Sequence, residues 1–152
     1  MSDTCIRKIE SYWKNKTTVS NELFQKGKFK DALLGYKNAL YRVEVLNKNY
    51  SDCIRIGIPL IQIFMISCNN IANTYLELQQ TDNAENILKR AIYYLIYTTR
   101  NEDINKEEIY AELRKASINY FHFAKQYNSV IKEQVLKDLE HFFLKDTPSS
   151  LQ

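Results

Sequence analysis

The fold of this chain is decided by the stretch from Ser20 to Leu33, which reads SNELFQKGKFKDAL and is followed by Tyr36 and Ala39. Small residues at positions 20, 32 and 39 accompany large apolar residues at positions 23 and 36, with helical spacing on both sides of a Lys-Gly-Lys break. A small residue on each helix lets two backbones approach to about 8–10 Å, while the large residues fill the space beside them. The stretch therefore predicts two helices that pack as a hairpin.

The same pattern returns later in the chain. Ala72, Tyr75, Ala84, Leu88 and Ala91 each lie 52 residues after Ser20, Leu23, Ala32, Tyr36 and Ala39, and their types match in order: small, large apolar, small, large apolar, small. A third copy is proposed 45 residues further on, at Ser117, Tyr120, Ser129, Glu133 and Leu136, where Glu133 departs from the apolar type. Recurrence at such intervals predicts an array of similar helical units.

The rest of the chain also favours an all-α fold. Apolar residues recur with helical spacing along most of its length, and it contains only 3 Gly and 2 Pro, so few positions break a helix. No stretch has the alternation of a strand. We expect six helices in three antiparallel hairpins, at about residues 4–46, 58–97 and 106–144. They form one domain over residues 1–145, which is followed by a frayed tail at residues 146–152.

At these residues the chain resembles the tetratricopeptide repeat family. The stretch from Ser20 to Leu33 with Tyr36 and Ala39 reads like the core signature of that family, and Asn69–Leu78 followed by Ala84–Ala91 is similar. The intervals of 52 and 45 residues exceed the family period of about 34, which implies longer helices or insertions at the junctions. The resemblance implies an α-α superhelix in which the first helix of each hairpin lines a concave groove.

The resemblance also implies which residues face that groove. It assigns a partner-binding role to Lys14, Asn21, Phe24, Gln25, Ile66, Asn69, Asn73, Leu76, Glu77 and Phe121, with Thr17, Arg114, Ile118 and His122 nearby. Amide side chains of this kind suit an extended peptide, because they donate to and accept from its backbone. Two of them, Asn21 and Asn73, are not expected to be needed for building the hairpins. For Phe24, Leu76 and Phe121, a place in the groove and a place in the core are both open.

No motif predicts catalysis, a cofactor or a metal site. The three cysteines are odd in number and none is in C-x-x-C spacing, which indicates reduced thiols in the cytoplasm. A Cys68–His122 nucleophile is conceivable, but nothing in the sequence brings the two together. The N-terminus lacks an apolar signal segment, and the most apolar run, from Ile56 to Cys68, is too short to cross a bilayer. We therefore expect a non-enzymatic scaffold, an adaptor or chaperone that binds a protein or peptide.

The sequence also allows other binding modes to be compared with this one. A narrower version is an accessory factor of a bacterial secretion system, since chaperones of secreted substrates have a similar size. A carboxylate clamp is rejected, because Thr17 and Ala111 stand where relatives have lysines. The alternative class is RNA or anionic-surface binding by basic residues of the first third, although a solvated lysine face explains them better: Arg7, Lys8, Lys14, Lys16, Lys26, Lys28 and Lys30. The cluster of Tyr93, Tyr94 and Tyr97 could be a hot spot for a partner, but packing against the third hairpin with the hydroxyls at the surface is favoured.

Overall fold

The structure is a computed structural model that describes residues 1–101, 104–127 and 133–145, apart from the side chain of Lys145. Helices joined by turns and short connecting segments make up the described residues, and no strand is present among them, so the all-α prediction is confirmed. The helices are α1 (Asp3–Gln25), α2 (Phe29–Asn47), α3 (Tyr50–Arg55), α4 (Leu60–Glu77), α5 (Thr81–Thr98), α6 (Lys106–Gln126) and α7 (Glu133–Lys145). The predicted tail at residues 146–152, and Ser129 of the third copy, lie outside the described residues.

Helices α1 and α2 are joined by a turn whose geometry explains the Lys-Gly-Lys break. Gly27 has φ of +77°, the left-handed conformation that glycine adopts without a Cβ penalty. The amide of Gly27 donates to the carbonyl of Phe24, and the amide of Lys28 donates to the carbonyl of Leu23. These bonds satisfy carbonyls that the end of a helix would otherwise leave unpaired. The chain can therefore reverse within a few residues and lay α2 against α1.

The interval of 52 residues appears again in the buried faces of α2 and α5. Helix α2 buries Ala32, Gly35, Tyr36, Ala39, Leu40, Val43 and Leu46. Helix α5 buries Ala84, Ile87, Leu88, Ala91, Ile92, Leu95 and Thr98, each of which lies 52 positions after its counterpart in α2. The second helices of the two hairpins thus turn the same face inward.

The helices pack in the order of the chain, with α1 on α2, α2 on α4, α4 on α5 and α5 on α6. Helix α4 packs on both α2 and α5, and its apolar run from Leu60 to Met65 joins one continuous core. Because both sides of this segment are covered by protein, its high apolar content reflects burial. No helix in the described part of the chain is apolar and long enough to cross a membrane.

A short helix, α3, occupies the junction at residues 47–57, so the expected number of six helices is wrong. Within this helix, Cys53 is fully buried, and Arg55 forms an ion pair with Asp3 at the start of α1. The helix is only six residues long, which gives too few turns for an apolar period to stand out in the sequence. Tertiary contacts with α1 and the core hold a segment that would be marginal as an isolated helix.

Helix α7 does not bury the residues that the third copy assigned to it. Val135, Leu139 and Phe142 are buried, whereas Glu133 is exposed and Leu136 is 40% exposed. The helix contacts α6 through the edge of the Phe142 ring, whose centroid lies 5.4 Å from that of Tyr110. The third copy is therefore wrong in its register at α7, because the buried stripe runs through neighbouring positions.

Candidate functional site

The residues that were predicted to bind a partner meet in part at a recess between α1 and α4. Its volume is about 190 Å³, and we call it the α1–α4 recess. It is lined by Asn21, Phe24, Gln25, Tyr36, Asn70 and Asn73. Four of these residues, Asn21, Phe24, Gln25 and Asn73, belong to the set that the sequence analysis assigned to partner binding. Two hairpins thus contribute polar side chains to one small surface depression.

The recess is held in place by a buried bond between its two main helices. The indole Nε1 of Trp13 on α1 donates to the hydroxyl of Ser67 on α4 at 2.7 Å. Trp13 also carries a large apolar surface into the core, where only 7% of it stays exposed. Because Asn21 lies two turns beyond Trp13 and Asn70 lies one turn beyond Ser67, this bond sets how the recess-lining faces stand relative to each other.

The chemistry of the recess is that of amides around two aromatic rings. The Tyr36 hydroxyl on α2 donates to Oδ1 of Asn21, and burial raises the pKa of Tyr36 above its usual value. Asn21 therefore helps to join α1 to α2, and the expectation that it has no part in building the hairpin is wrong. Its amide NH2 is still a donor, and Asn70 and Asn73 add donors and acceptors of their own.

Sequence reasoning missed two residues of the recess. The sequence pattern assigns no partner-binding role to Asn70 and only a packing role to Tyr36. The repeat interval places Tyr36 opposite α1, but no feature of the sequence shows that its hydroxyl reaches Asn21. The hydrogen bond between these two side chains becomes visible only in the folded structure.

The other predicted binding residues lie outside the recess, and all of them except Phe121 are on α1 or α4. Lys14, Ile66, Asn69 and Glu77 are exposed, and the Lys14 ammonium lies 4.0 Å from Glu10. Leu76 and Phe121 are half-buried and pack against the core, as does Phe24 within the recess. Phe121 is on α6 and does not line the recess. Thr17, which the resemblance placed near the groove, is buried.

The model of a protein family described as "Protein of unknown function (DUF2753)" matches residues 11–149. The chain belongs to the DUF2753 family. The match includes α1 from Ser11 onward, the rest of both hairpins and all ten residues that are predicted to bind a partner. No curated protein and no solved structure is detectably similar to this DUF2753 chain.

The three clustered tyrosines of this DUF2753 protein divide between packing and exposure. Tyr94 stacks on Phe64, with ring centroids 3.7 Å apart, and its hydroxyl donates to Asn47 at 3.0 Å. Burial is the main reason why the pKa of Tyr94 lies well above its usual value. Tyr97, by contrast, is 68% exposed. Packing therefore accounts for Tyr94 but leaves the exposed ring of Tyr97 unexplained.

The cysteine and the histidine that could form a nucleophilic pair lie in different environments. Cys53 and Cys68 are buried, and burial raises the pKa of the Cys68 thiol to about 12, so it stays protonated at neutral pH. His122 is exposed on α6, whereas Cys68 is buried in α4. Among the described residues, no three His, Cys, Asp or Glu side chains are placed to hold a metal ion.

Proposed function

We propose that this protein is a non-enzymatic interaction module, an adaptor or chaperone, that binds an extended peptide segment of another protein at the α1–α4 recess. The observation that carries the proposal is the meeting of Asn21 and Gln25 from one hairpin with Asn70 and Asn73 from the next. Each amide offers both donors and an acceptor. A peptide backbone presents both kinds of group at regular intervals, so it matches such a surface better than a purely anionic ligand would.

A tetratricopeptide-like arrangement is the architecture that we infer for the two hairpins. It is supported by the shared interval of 52 residues in the buried faces of α2 and α5. It is further supported by the turns, since Gly27 and Gln79 have positive φ and lie 52 positions apart. In such an array the first helices, α1 and α4, line the binding face, which is where the recess lies. A role next to a bacterial secretion system in the cytoplasm is the narrower version of this proposal.

Binding at the recess would combine a few bonds with a small apolar contact. A neutral hydrogen bond between protein and peptide contributes about 0.5–1.5 kcal/mol, so two or three such bonds are worth one or more decades in affinity. The half-buried ring of Phe24, which meets the edge of Phe29 at 5.1 Å between centroids, adds apolar surface beside the amides. The exposed Lys14 and Glu77 lie on the same two helices and would bias the charge of the flanking peptide residues.

The test replaces the two α4 amides and leaves Asn21 in place, because Asn21 also supports Tyr36. Peptides that bind the wild-type chain are first selected from a random display library, and their affinities are measured by fluorescence polarisation. The double variant Asn70→Ala with Asn73→Ala should bind the selected peptides about tenfold or more weakly. Its helicity should be unchanged, since Ala is a better helix former than Asn.

The matched control is Asn38→Ala with Asn119→Ala, which removes two exposed amides that line neither the recess nor any other described cavity. This control should keep wild-type affinity. If both double variants bind the selected peptides equally well, the recess is not the binding site and the proposal fails. Added RNA that displaces the peptides in a salt-sensitive manner would instead favour the basic residues of the first third.

A further inference from the structure

A second depression runs along the opposite pair of helices, α2 and α5. It consists of three adjoining cavities of about 410, 390 and 460 Å³. The first two share Glu44 and Arg90, and the last two share Asn47, Tyr94 and Tyr97, so together they form one continuous groove. None of the six residues of the α1–α4 recess lines it. The groove is thus a separate surface that the proposed function does not use.

Tyrosine rings dominate the walls of this groove, which we call the tyrosine groove: Tyr41, Tyr50, Tyr75, Tyr93, Tyr94 and Tyr97. Two of these rings are much more exposed than packing would require, Tyr41 at 62% and Tyr97 at 68%. An aromatic ring offers a large contact area with few rotatable bonds, which is why tyrosine is frequent at binding hot spots. Rings exposed at both ends of a groove therefore indicate a surface that takes apolar side chains from a partner.

The charges on the groove are mainly positive. Lys37, Arg90 and Arg100 line it, and Glu44 is the one carboxylate among its described lining residues. Glu44 forms an ion pair with Arg90, so these two charges offset each other. In the described part of the chain, neither Lys37 nor Arg100 lies in an ion pair with a carboxylate. Lys37 and Arg100 thus each contribute a cationic group to one of the two end cavities.

The two remaining cations are held against the tyrosine rings. The Lys37 ammonium lies 5.2 Å from the centroid of Tyr75, and the Arg100 guanidinium lies 5.4 Å from the centroid of Tyr97. A cation on the face of an aromatic ring is attracted to it but still has donors directed to solvent. This arrangement fixes the positions of both charges beside apolar surface. A ligand that places a carboxylate next to an aromatic or aliphatic side chain would match it.

We propose that the tyrosine groove is a second docking surface, and that its occupant is an acidic peptide segment in which Asp or Glu residues stand next to large apolar residues. The carboxylates would pair with Lys37 and Arg100, and the apolar side chains would lie on Tyr41 and Tyr97. The amides of Asn83 and Asn86, which line the first cavity, would bond the peptide backbone. A partner could then be held on this face while another peptide occupies the recess.

The experiment uses fluorescein-labelled peptides of defined composition and the full chain. The first probe repeats Asp-Glu-Phe-Leu, the second repeats Lys-Lys-Phe-Leu, and the third repeats Asp-Glu-Ala-Ala. Only the first should bind with measurable affinity at physiological ionic strength, since it alone combines carboxylates with large apolar groups. The variant Lys37→Glu with Tyr97→Ala should bind it about tenfold or more weakly.

The control, Lys8→Glu with Tyr127→Ala, makes the same changes in net charge and tyrosine content at exposed positions outside the groove. It should bind the first probe like the wild type. Equal losses of affinity in the two variants would mean that net charge alone attracts the probe, and this would overturn the proposal. Equal binding of the first two probes to the wild type would also overturn it. If circular dichroism shows that the groove variant is unfolded, the exposed substitution Tyr41→Ala replaces it, and unchanged affinity would refute the proposal.

Discussion

The turn between α1 and α2 places Gly27 in the left-handed conformation, and the turn between α4 and α5 places Gln79 there, 52 positions later. In both turns the next amide bonds back to a carbonyl five residues earlier, from Lys28 to Leu23 and from Gln80 to Tyr75. The two hairpins thus share a backbone path but not the residue that this path favours. Similar packing thus imposes a positive φ on Gln79, a residue with a Cβ, and this costs free energy.

The first helices of the two hairpins differ more than their turns do. Helix α1 buries five of its 23 residues, whereas α4 buries ten of its 18. The difference follows from position, because α4 packs on both α2 and α5 while α1 packs mainly on α2. Lys16 and Cys68 occupy corresponding places, and the lysine is half-buried while the cysteine is fully buried. The same register therefore meets two environments.

Asn21 and Asn73, which occupy corresponding places in the two hairpins, show a third difference. Asn21 accepts from the hydroxyl of Tyr36, but the counterpart of Tyr36 in the second hairpin is Leu88, which has no donor. Asn73 is exposed and is left for a ligand. Corresponding amides thus serve structure in one hairpin and are available for binding in the other.

The largest expected effect comes from exchanging the residues at positions 16 and 68. The substitution Cys68→Lys places an amine in a site without solvent, and it should lower the free energy of unfolding by about 3–5 kcal/mol. The reverse change, Lys16→Cys, should stay within about 0.5 kcal/mol of the wild type. Urea denaturation followed by circular dichroism measures both. Similar losses in the two variants would mean that α1 and α4 are equally buried.

Alkaline pH tests the burial of Cys68 without a charge being introduced. The pKa of its thiol is raised from 9.0 to about 12 in the folded protein, so the folded state holds the proton more tightly than the unfolded chain does. The free energy of unfolding is unaffected below a pH of about 9 and falls as the pH rises from there toward about 12. At about pH 11 the free energy of unfolding of the wild type should have fallen by about 2–3 kcal/mol more than that of Cys68→Ala, when each protein is compared with its own value at about pH 8. Parallel pH profiles would contradict this account.

Exchange of the turn residues should have a smaller effect. Gly27→Gln brings a Cβ into the left-handed conformation and should destabilise the protein by about 1–2 kcal/mol. Gln79→Gly removes the same penalty and should stabilise it by up to about 1 kcal/mol, reduced by the greater freedom of glycine in the unfolded chain. Thermal and urea unfolding of the two variants give the comparison. A destabilised Gln79→Gly would show that this side chain has contacts that outweigh its backbone strain.

The smallest expected difference is between the two asparagines. Asn21→Ala leaves the buried Tyr36 hydroxyl without its acceptor and should cost about 0.5–1.5 kcal/mol, which the better helix propensity of Ala offsets in part. Asn73→Ala should leave stability within about 0.5 kcal/mol of the wild type. The double variant Asn21→Ala with Tyr36→Phe is the control, because it removes both bonding partners and should recover most of the loss. No recovery would mean that the bond does not hold α1 to α2.

Much of the hairpin architecture could be predicted from particular residues. The glycine at position 27 predicts the first turn, and the alanines at 32, 39, 84 and 91 predict where helices meet, because only small side chains permit such close contact. Asparagine favours the position before a helix, and the side chain of Asn105 accepts from the amide of Glu108 at the beginning of α6. At α7 only the repeat alignment through Glu133 and Leu136 is wrong, because the apolar stripe of Val135, Leu139 and Phe142, spaced by four and three residues, matches the face that the helix buries.

Local spacing and small residues determined, by themselves, that this chain is helical, where its first two hairpins turn and which faces of α2 and α5 are buried, because helix periodicity is encoded over a few neighbouring residues. Tertiary structure alone decided the rest. It brought the amides of α1 and α4 together, formed α3, engaged Asn21 with Tyr36, and aligned the tyrosines of α2, α4 and α5 along one groove. These features join residues from different helices, and their positions depend on how whole helices pack against one another, which no local pattern in the sequence specifies.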